Sequence, residues 1–537
     1  RDSSTSRGLG DVYKRQLEAM LSFSKYMFNF VQVDAMAGMG KYLESNEGYG
    51  ISYEDTHDMI NEHDISSAKG KIYPTSHTLK NEKRSQFFKL SFDVLDRYVI
   101  SATLRRDGTD KFFPGKKYAL FPSVSAAWKI SNEKFLKDVF WINLLKLRAS
   151  YGKTGQDNLG SSLYGVYEPS GFKVGFNDNG LFYVPCVSMG TNYPDVSWQK
   201  TIMKNIGLDF YLFKNRVSGS IDVFRNDVTS LLGYASTSPL AIYPTRPING
   251  GHFYRQGWEI MLDTKNMVGD FNWNTQLTFS KTNSFWKERM PNYDYRSYQK
   301  RNKEPMNAYY YYKMTGIINA DRSNMPESQK TLQAEAQLPG CPIIDDKNND
   351  GKIDENDIYL KDNTPDIYIG FGNTFTYKNW EFSFFMYGQF GILKSNIAYR
   401  AALPGPLAVD YPENTNKYAY LLWNSQTNPN GTRPGLAVDR MGALPGGAGV
   451  NIDMENASFV RMRNITLSYN FRDKILGKLK KYVKGIKVYA DVQNPFVISK
   501  FKGFDPEIYT GGGGANNASR GEYPQARTFT LGTNIVF

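Results

Sequence analysis

The clearest candidate for chemistry is a short acidic loop. In the segment DKNNDGKIDEND at 346–357, oxygen-bearing groups fall at positions 1, 3, 5, 7, 9 and 12, and Gly351 stands at the sharp turn. This alternation lets a loop wrap oxygen ligands around a hard cation such as Ca²⁺. The six groups are those of Asp346, Asn348, Asp350, the Lys352 carbonyl, Asp354 and Asp357. The pattern predicts a structural Ca²⁺ loop; the alternative is an Asx-rich turn satisfied by its own backbone, because Asp357 is shorter than the usual Glu.

No catalytic constellation accompanies this loop. The string GGGG at 511–514 lacks the Lys-Ser/Thr pair that a phosphate-binding loop needs. Cys186 and Cys341 have no metal-ligand spacing, so a disulfide between them is possible but unsupported. The histidines also lack the spacing of a zinc site; they are His57, His63, His77 and His252. The chain is therefore not predicted to be an enzyme.

The elements that would position these groups are β-strands. Apolar and polar residues alternate with period two over stretches of about ten residues, as in strands with one apolar face. At 88–94, for example, Phe88 and Leu90 alternate with Lys89 and Ser91. Further hairpins lie at 206–223, 258–279 and 367–386, and weaker strands near 18–38, 118–130, 143–152, 307–314, 458–471, 485–492 and 527–537. Together with the hairpin at 88–105 they make about sixteen candidate strands.

The connections between these strands are of two kinds. Tight turns join the hairpins on one side, and outer-membrane barrels have tight turns on the periplasmic side and long loops outside. The long segments here lie at 155–196, 228–254, 284–306, 391–457 and 501–526. The side occupied by the acidic loop stays open. Placing it outside requires an even number of strands between 285 and 366, and only one candidate strand, at 307–314, is identified there.

The composition favours a single sheet that forms a thin wall over a soluble protein with a thick hydrophobic core. Aromatic residues make up 15% of the chain, yet hydrophobic residues only 41%, and the mean hydropathy is −0.50. This suits a sheet with one apolar and one polar face. A large soluble sandwich or propeller would also alternate, but its strands average about five or six residues. The net charge of +12 is scattered along the chain, so nucleic-acid binding is not predicted.

The last strand ends on an aromatic residue. Phe529, Leu531, Ile535 and Phe537 share one parity, and polar residues occupy the other. This looks like the C-terminal signal by which the barrel-assembly machinery recognises outer-membrane barrels. It also predicts contact with outer-membrane lipid and lipopolysaccharide.

Several strings resemble the SusC/RagA family of TonB-linked outer-membrane transporters. They appear in family order from about residue 85 to the end. They include ATLRRDGTDKF (102–112), LFPSVSAAWKISNEKFLKD (120–138), LKLRASYGKTGQ (145–156), ASFVRMRNITLSYNF (457–471) and VYADVQNPFVISKFKGFDPEIY (488–509). Asp110 and Pro495 depart from the residues usual in the family.

The resemblance implies an all-β fold, an antiparallel transmembrane β-barrel with long extracellular loops and a plugged lumen. About 16 of an expected set of about 22 strands are present. Residues 1–16 lack periodicity and are interpreted as a cloning or assembly scar; residues 17–537 form a partial barrel whose plug domain and first strands are missing. Because an open sheet exposes two edges that hydrocarbon does not tolerate, this piece alone is not expected to transport.

The implied function is active import of a bulky nutrient, an oligosaccharide or a peptide, across the outer membrane of a Gram-negative bacterium. TonB would supply energy through the missing plug, and a SusD-like surface lipoprotein would close the outer mouth. Six loop aromatics are candidates to stack on sugars or pack against that lid, with packing inside the loop as the alternative: Tyr164, Tyr167, Phe172, Phe176, Phe182 and Tyr183. A passive porin and a secreted, soluble β-rich glycan-binding protein or adhesin are the alternative functions.

Overall fold

The computed structural model describes most of the chain. The described residues are 4–54, 72–159, 167–170, 176–177, 180–181, 186–189, 193–237, 245–291, 295–299, 302–396, 417–435, 437–438, 441–471, 477, 482–503, 505–507 and 525–537. Only the backbone is described at 4–12, 51–54, 72–79, 417–418 and in the short strands within 167–189.

A single 15-stranded sheet dominates the described structure, and each strand pairs with its neighbours in chain order. All of these pairs are antiparallel, so the fold is the predicted all-β meander. The strands are β1 (Ser4–Met27), β2 (Val31–Glu54), β3 (Ile72–Val94), β4 (Tyr98–Thr109), β5 (Tyr118–Lys129), β6 (Ile142–Gln156), β7 (Gln199–Leu212), β8 (Val217–Ser236), β9 (Thr245–Met267), β10 (Phe271–Glu288), β11 (Ile367–Tyr377), β12 (Trp380–Phe390), β13 (Phe459–Phe471), β14 (Gly485–Ser499) and β15 (Thr528–Val536). No helix among the described residues has the length and apolar character needed to cross a membrane.

One predicted wall strand is wrong. The candidate at 307–314 corresponds to Ala308–Tyr312, which pairs with Tyr359–Asp362 and Gly449–Val450 in a separate 3-stranded sheet. The wall therefore has one strand fewer than expected, and none of its strands lies between β10 and β11. This places the acidic loop on the same side as the long connections, a question that the sequence left open.

The long connections are also shorter in places than predicted. Most of the segment 228–254 is strand, because β8 continues to Ser236 and β9 begins at Thr245. The hydrogen-bonded register runs from Ser236 paired with Thr245 down to Val217 paired with Thr264. Strands of 20 and 23 residues are roughly twice as long as a tilted membrane strand requires, so they project well beyond the bilayer.

Residues 4–16 are continuous with the wall. Ser4 to Gln16 pair with Glu54 to Tyr42 as the upper half of the β1–β2 ladder. The sequence of this stretch lacks the period-two alternation of a strand, so it does not predict one. Its interpretation as a scar stays a prediction.

The tight turns require left-handed backbone. Asn29, Asp96, Asn215 and Lys378 have φ between 52° and 60°. Asn and Asp tolerate this region better than other residues with side chains, and positive φ matches the twist of paired strands. The turn between β11 and β12 is the two-residue loop that the sequence predicts, with Tyr377 paired to Trp380.

The two faces of the wall differ in chemistry. One face exposes large apolar side chains; among them are Phe88, Ile100, Leu104, Val124, Leu147, Ile206, Val223, Phe529 and Leu531. The register places polar groups on the other face, including Asp93, Ser101, Arg148, Asp209, Asp222, Gln276 and Asp491. The apolar face is the one toward lipid and the polar face lines the lumen. Near the tight turns, ring pairs such as Trp141–Phe213 and Trp380–Tyr469 form an aromatic girdle, with centroids 5.8 and 4.8 Å apart.

Two of the prolines in the wall lie where no backbone N–H is needed for a hydrogen bond between strands. Pro122 pairs with Leu104, but the β5–β6 ladder begins only at Ser123, so its missing N–H faces no strand. Pro495 lies in a register shift where Met462 pairs with Phe496 and Asn464 with Gln493. Proline is tolerated at bulges for this reason, which explains the departure from the family sequence at this position.

Candidate functional site: the luminal wall and the outer loops

A charged row crosses three strands on the luminal face. Arg148 on β6 and Asp222 on β8 both pair with Gly207 on the strand between them. Arg148 reaches over Gly207, and its Nη2 lies 2.7 Å from Asp222 Oδ2, while its Nε lies 2.9 Å from Asp209 Oδ1. Lys146 adds a contact of 3.5 Å to Asp209. Charge-paired rows of this kind give the lumen a polar surface without an unpaired buried charge.

A second ion-pair cluster anchors the segment after β14. Arg461 on β13 is 3% exposed at its side chain; its Nη2 lies 2.5 Å from Asp505 and its Nε 2.7 Å from Glu507. Tyr387 on β12 donates a hydrogen bond to Glu507. Lys394 donates another to the Pro506 carbonyl. These contacts fasten residues 505–507 to the inside of the wall.

The outer loops contain a folded unit with its own core. It is formed by the described residues within 295–366 and 417–457, and we call it the outer domain. Its fully buried side chains include Tyr312, Ile318, Ala336, Cys341 and Ile344. They belong to one hydrophobic cluster that draws on both segments, so the two long loops are packed together.

Two deeply buried polar side chains of the outer domain, those of Gln329 and Tyr312, are paired. Gln329, which is fully buried, donates from Nε2 to the carbonyls of Ala336 at 3.0 Å and Pro342 at 3.2 Å. Its Oε1 accepts from the Ile344 amide at 3.0 Å. Tyr312 Oη lies 2.9 Å from the carbonyl oxygens of both Asp354 and Pro445, which joins the acidic loop to the second segment. Such fully satisfied groups specify one packing arrangement.

Several titratable groups in this domain have shifted pKa values, among them Tyr310 and Asp345. Burial, followed by the hydrogen bond to Glu304, raises the pKa of Tyr310 to about 12. The Tyr359 hydroxyl at 2.6 Å, followed by the Lys313 ammonium at 3.0 Å, holds the pKa of Asp345 below its usual value. Both groups therefore keep their neutral-pH protonation states and act as structural partners.

The acidic loop forms one compact turn on this domain. Asp346 accepts hydrogen bonds from the amides of Asp350 at 3.2 Å and Gly351 at 2.9 Å, and Gly351 has a φ of 83°. Asp357 is fully buried, and its two oxygens accept from the amides of Lys347 and Asp354. The predicted residues are thus adjacent, and their carboxylates serve the backbone as in Asx turns.

This arrangement does not by itself assemble a cation site. No group of three or more His, Cys, Asp or Glu side chains in the described residues is placed to hold a metal. Asp350 and Asp354 also cap local amides, those of Lys352 at 3.1 Å and Asn356 at 2.7 Å. The Ca²⁺ loop stays a prediction.

The remaining predicted site residues are placed only in part. Tyr167 and Phe176 lie in the short strands Tyr167–Ser170 and Phe176–Asn177, where only the backbone is described. Four others lie outside the described residues: Tyr164, Phe172, Phe182 and Tyr183. The C-terminal set Phe529, Leu531, Ile535 and Phe537 is exposed. Its role as an assembly signal stays a prediction.

Cys341 is a free thiol buried in the core of the outer domain, so the possible disulfide to Cys186 is not formed. Its Sγ donates to the Glu335 carbonyl at 3.4 Å. Burial raises the pKa of this thiol to about 11, which keeps it protonated and unreactive.

Comparison with known proteins decides the family. Residues 2–495 match the family model described as TonB dependent receptor-like, beta-barrel. The chain belongs to this family. The TonB-dependent receptor SusC of Bacteroides thetaiotaomicron is 29% identical over 88% of the chain and 45% of SusC. The TonB-dependent receptor P3 of Formosa agariphila is 27% identical over 87% of the chain and 46% of that receptor.

Solved structures agree on the fold. The structure titled as that of the RagAB peptide transporter superposes with a TM-score of 0.78 at 18% identity, covering 99% of the chain and 56% of that structure. The resemblance to the SusC/RagA branch and the transmembrane β-barrel fold are confirmed. As a TonB-dependent receptor-like barrel, the chain lies in the outer membrane of a Gram-negative bacterium, which rules out the secreted soluble alternative. The chain spans about half the length of the curated relatives it matches.

Proposed function

We propose that the full protein imports a bulky nutrient, an oligosaccharide or a peptide, across the outer membrane by active transport. The observation that carries this proposal is the match of residues 2–495 to the receptor barrel family. The polar luminal face and the outer domain at the mouth support it. A wide polar passage with an organised outer surface suits a large solute that must first be captured.

Energy would come from TonB acting on a plug domain. Charged rows such as Arg148 with Asp209 and Asp222 offer a luminal surface against which a polar plug can pack and from which it can separate. Ion pairs that stay partly open to water contribute modest net free energy, so water can take over their contacts when a plug moves away. This supports a removable plug rather than a permanently buried one.

A SusD-like surface lipoprotein would close the outer mouth. The outer domain has its own buried core, so it presents a rigid surface for such a partner. The loop aromatics, including Tyr167 and Phe176, would contact either the lid or the nutrient. Aromatic side chains supply large contact areas on sugars and at protein interfaces.

Growth of a deletion strain tests this function. A strain lacking the gene is grown on defined oligosaccharides or on peptides as the sole nutrient, with and without a functional TonB. We expect loss of growth on one nutrient class, with the same loss in the TonB-deficient strain. Uptake that persists without TonB would show a passive porin instead, and unchanged growth on both classes would overturn the proposal.

A further inference from the structure

A broad groove lies on the lipid-facing surface of the wall, across the middle part of β5 to β10. Its volume is about 960 Å³. We call it the outer-wall groove and define it by six lining residues: Lys204, Ile206, Val223, Arg225, Trp258 and Lys281. The register puts all six side chains on the apolar face of the sheet, away from the luminal row of Arg148.

The groove lies at the outer boundary of the apolar band. Lys204 is eight residues from the tight-turn end of β7 at Leu212, and Arg225 is eight residues from the corresponding end of β8 at Val217. At about 3.3 Å per residue and a tilt of about 40°, eight residues rise roughly 20 Å, close to the height of a band about 25 Å tall. The cations therefore stand at headgroup level, with Ile206 and Val223 below them in the hydrocarbon.

At the same height above the tight turns, other strands of the wall also carry polar side chains on the lipid-facing surface. Gln86 and Arg106 are also eight residues from the tight-turn ends of their strands, at Val94 and Tyr98. Arg106, however, lies over the ring of Tyr118 at 4.2 Å. The outer-wall groove differs because several cations surround one depression with an apolar floor.

The charges of the groove are not balanced. Arg225 pairs with Asp227 at 3.2 Å and stacks on Tyr254 at 4.2 Å, and His252 Nε2 lies 3.4 Å from the same carboxylate. Among the described residues, Lys204 and Lys281 form no ion pair. Three cations thus face one carboxylate. Such an excess at a membrane boundary favours an anionic headgroup.

We propose that the outer-wall groove binds a phosphorylated glycolipid of the lipid A type from the outer leaflet. Lys204 and Lys281 would contact the phosphate, and acyl chains would lie along Ile206 and Val223. Trp258 would sit at the interface, where its amphipathic ring is favoured. This site rests on the outer-membrane location alone and goes beyond import, since it requires neither the nutrient nor TonB.

Retention of lipid by the purified full-length protein tests the site. The variant K204Q/K281Q is compared with wild type and with K25Q/K378Q, which removes two cations at the tight-turn end of the wall. Lipid that survives mild detergent extraction is counted by native mass spectrometry, and folding is checked by heat-modifiable gel mobility. We expect at least a tenfold loss in K204Q/K281Q only, because each cation near a membrane contributes roughly fivefold to binding. Equal retention in all three proteins would overturn the proposal.

The unmodified protein provides a test that does not depend on the folding of any variant. Delipidated wild type is titrated with diphosphoryl lipid A, with its dephosphorylated form and with inorganic phosphate, and thermal stability is recorded. We expect stabilisation by the first ligand only. Stabilisation by the dephosphorylated form to the same extent would show a purely apolar contact, and stabilisation by phosphate alone would show a simple anion site; either result would contradict the proposal.

Discussion

At Gly207 the lack of a side chain allows two charged groups to meet across a strand. A Cβ at this position would lie 2.6 Å from Arg148 Cζ and 2.7 Å from Asp222 Oδ1. Neither distance is compatible with ordinary packing. The luminal row therefore depends on glycine, although the backbone there is ordinary strand.

Gly207→Ala should displace Arg148 and separate it from Asp222. We expect a loss of about 2 kcal/mol in the free energy of unfolding, since the change strains a packed charged row. Thermal unfolding of the full-length protein, followed by gel mobility, measures it. Gly269→Ala is the matched control, because nothing lies within 4 Å of its Cβ position. Equal midpoints for the two variants would show that the row can relax freely.

Cys341 offers a second test at the scale of one residue. In a Cys186→Ser background, we expect its thiol to resist maleimide at pH 8 in the native protein and to react fully after denaturation. The raised pKa of about 11 and the burial of the side chain both suppress the thiolate. Rapid labelling of the native protein would show that the outer domain opens.

Contacts between single residues that lie far apart in the chain could not be predicted from the sequence. The acidic loop was recognisable because its six groups lie within twelve residues of the chain. Arg148, Gly207 and Asp222, by contrast, come together only through the register of three strands. Gln329 was missed for the same kind of reason: nothing local distinguishes a buried Gln from an exposed one.

At the scale of secondary-structure elements, a buried ion-pair cluster links β13 to the segment after β14. A register shift at Arg463 reverses the parity of β13, so Arg461 points to the lumen, where Asp505 and Glu507 meet it. The cluster is buried, so removing one partner leaves the other charge uncompensated.

Arg461→Met should therefore cost about 3–5 kcal/mol in the free energy of unfolding. Lys487→Met, which breaks the exposed pair with Glu381, should cost less than about 1 kcal/mol. Thermal unfolding of the two variants provides the comparison. A similar small effect for both would mean that the Arg461 cluster contributes no net stability.

Calorimetry can test whether the acidic loop binds Ca²⁺. If the Ca²⁺ loop exists, EGTA-treated protein should bind Ca²⁺ in preference to Mg²⁺, and Asp350→Ala should abolish the heat measured by titration calorimetry. Asp321→Ala is the control, because this carboxylate caps the Ser323 amide elsewhere in the outer domain. Heat that is absent from wild type would establish the Asx-rich turn, whose oxygens serve only the backbone.

Strand positions were predictable from alternation, but strand ends and loop structure were not. The pattern at 307–314 is that of a wall strand, yet Ala308–Tyr312 pairs inside the outer domain because its partners come from residues 359–362 and 449–450. The upper halves of β8 and β9 were assigned to a loop, because strands that rise into water lose the apolar face on which the prediction relied.

At the scale of the whole molecule, the described sheet has two free edges. β1 and β15 are the first and last strands in the order, and no described strand closes them together. Unpaired amides and carbonyls are not tolerated in hydrocarbon.

A polypeptide of residues 1–537 expressed alone should consequently fail to reach the folded, heat-modifiable form of an outer-membrane barrel. The full-length protein, expressed in the same way, is the control. Gel mobility of membrane fractions with and without heating reports the outcome. A stable folded form of the short polypeptide would mean that its edges find partners, either in each other or in a second copy.

The uneven length of the strands also shapes the rim of the passage. β1 and β2 have 24 residues each, whereas β11 and β12 have 11, so the taller strands extend on the order of 40 Å further along their own direction. The outer domain emerges beside the short strands. The rim of the mouth is therefore uneven in height. Strands form its high side, and the outer domain forms its low side. A large solute arriving from outside would meet this rim at an angle to the axis of the passage.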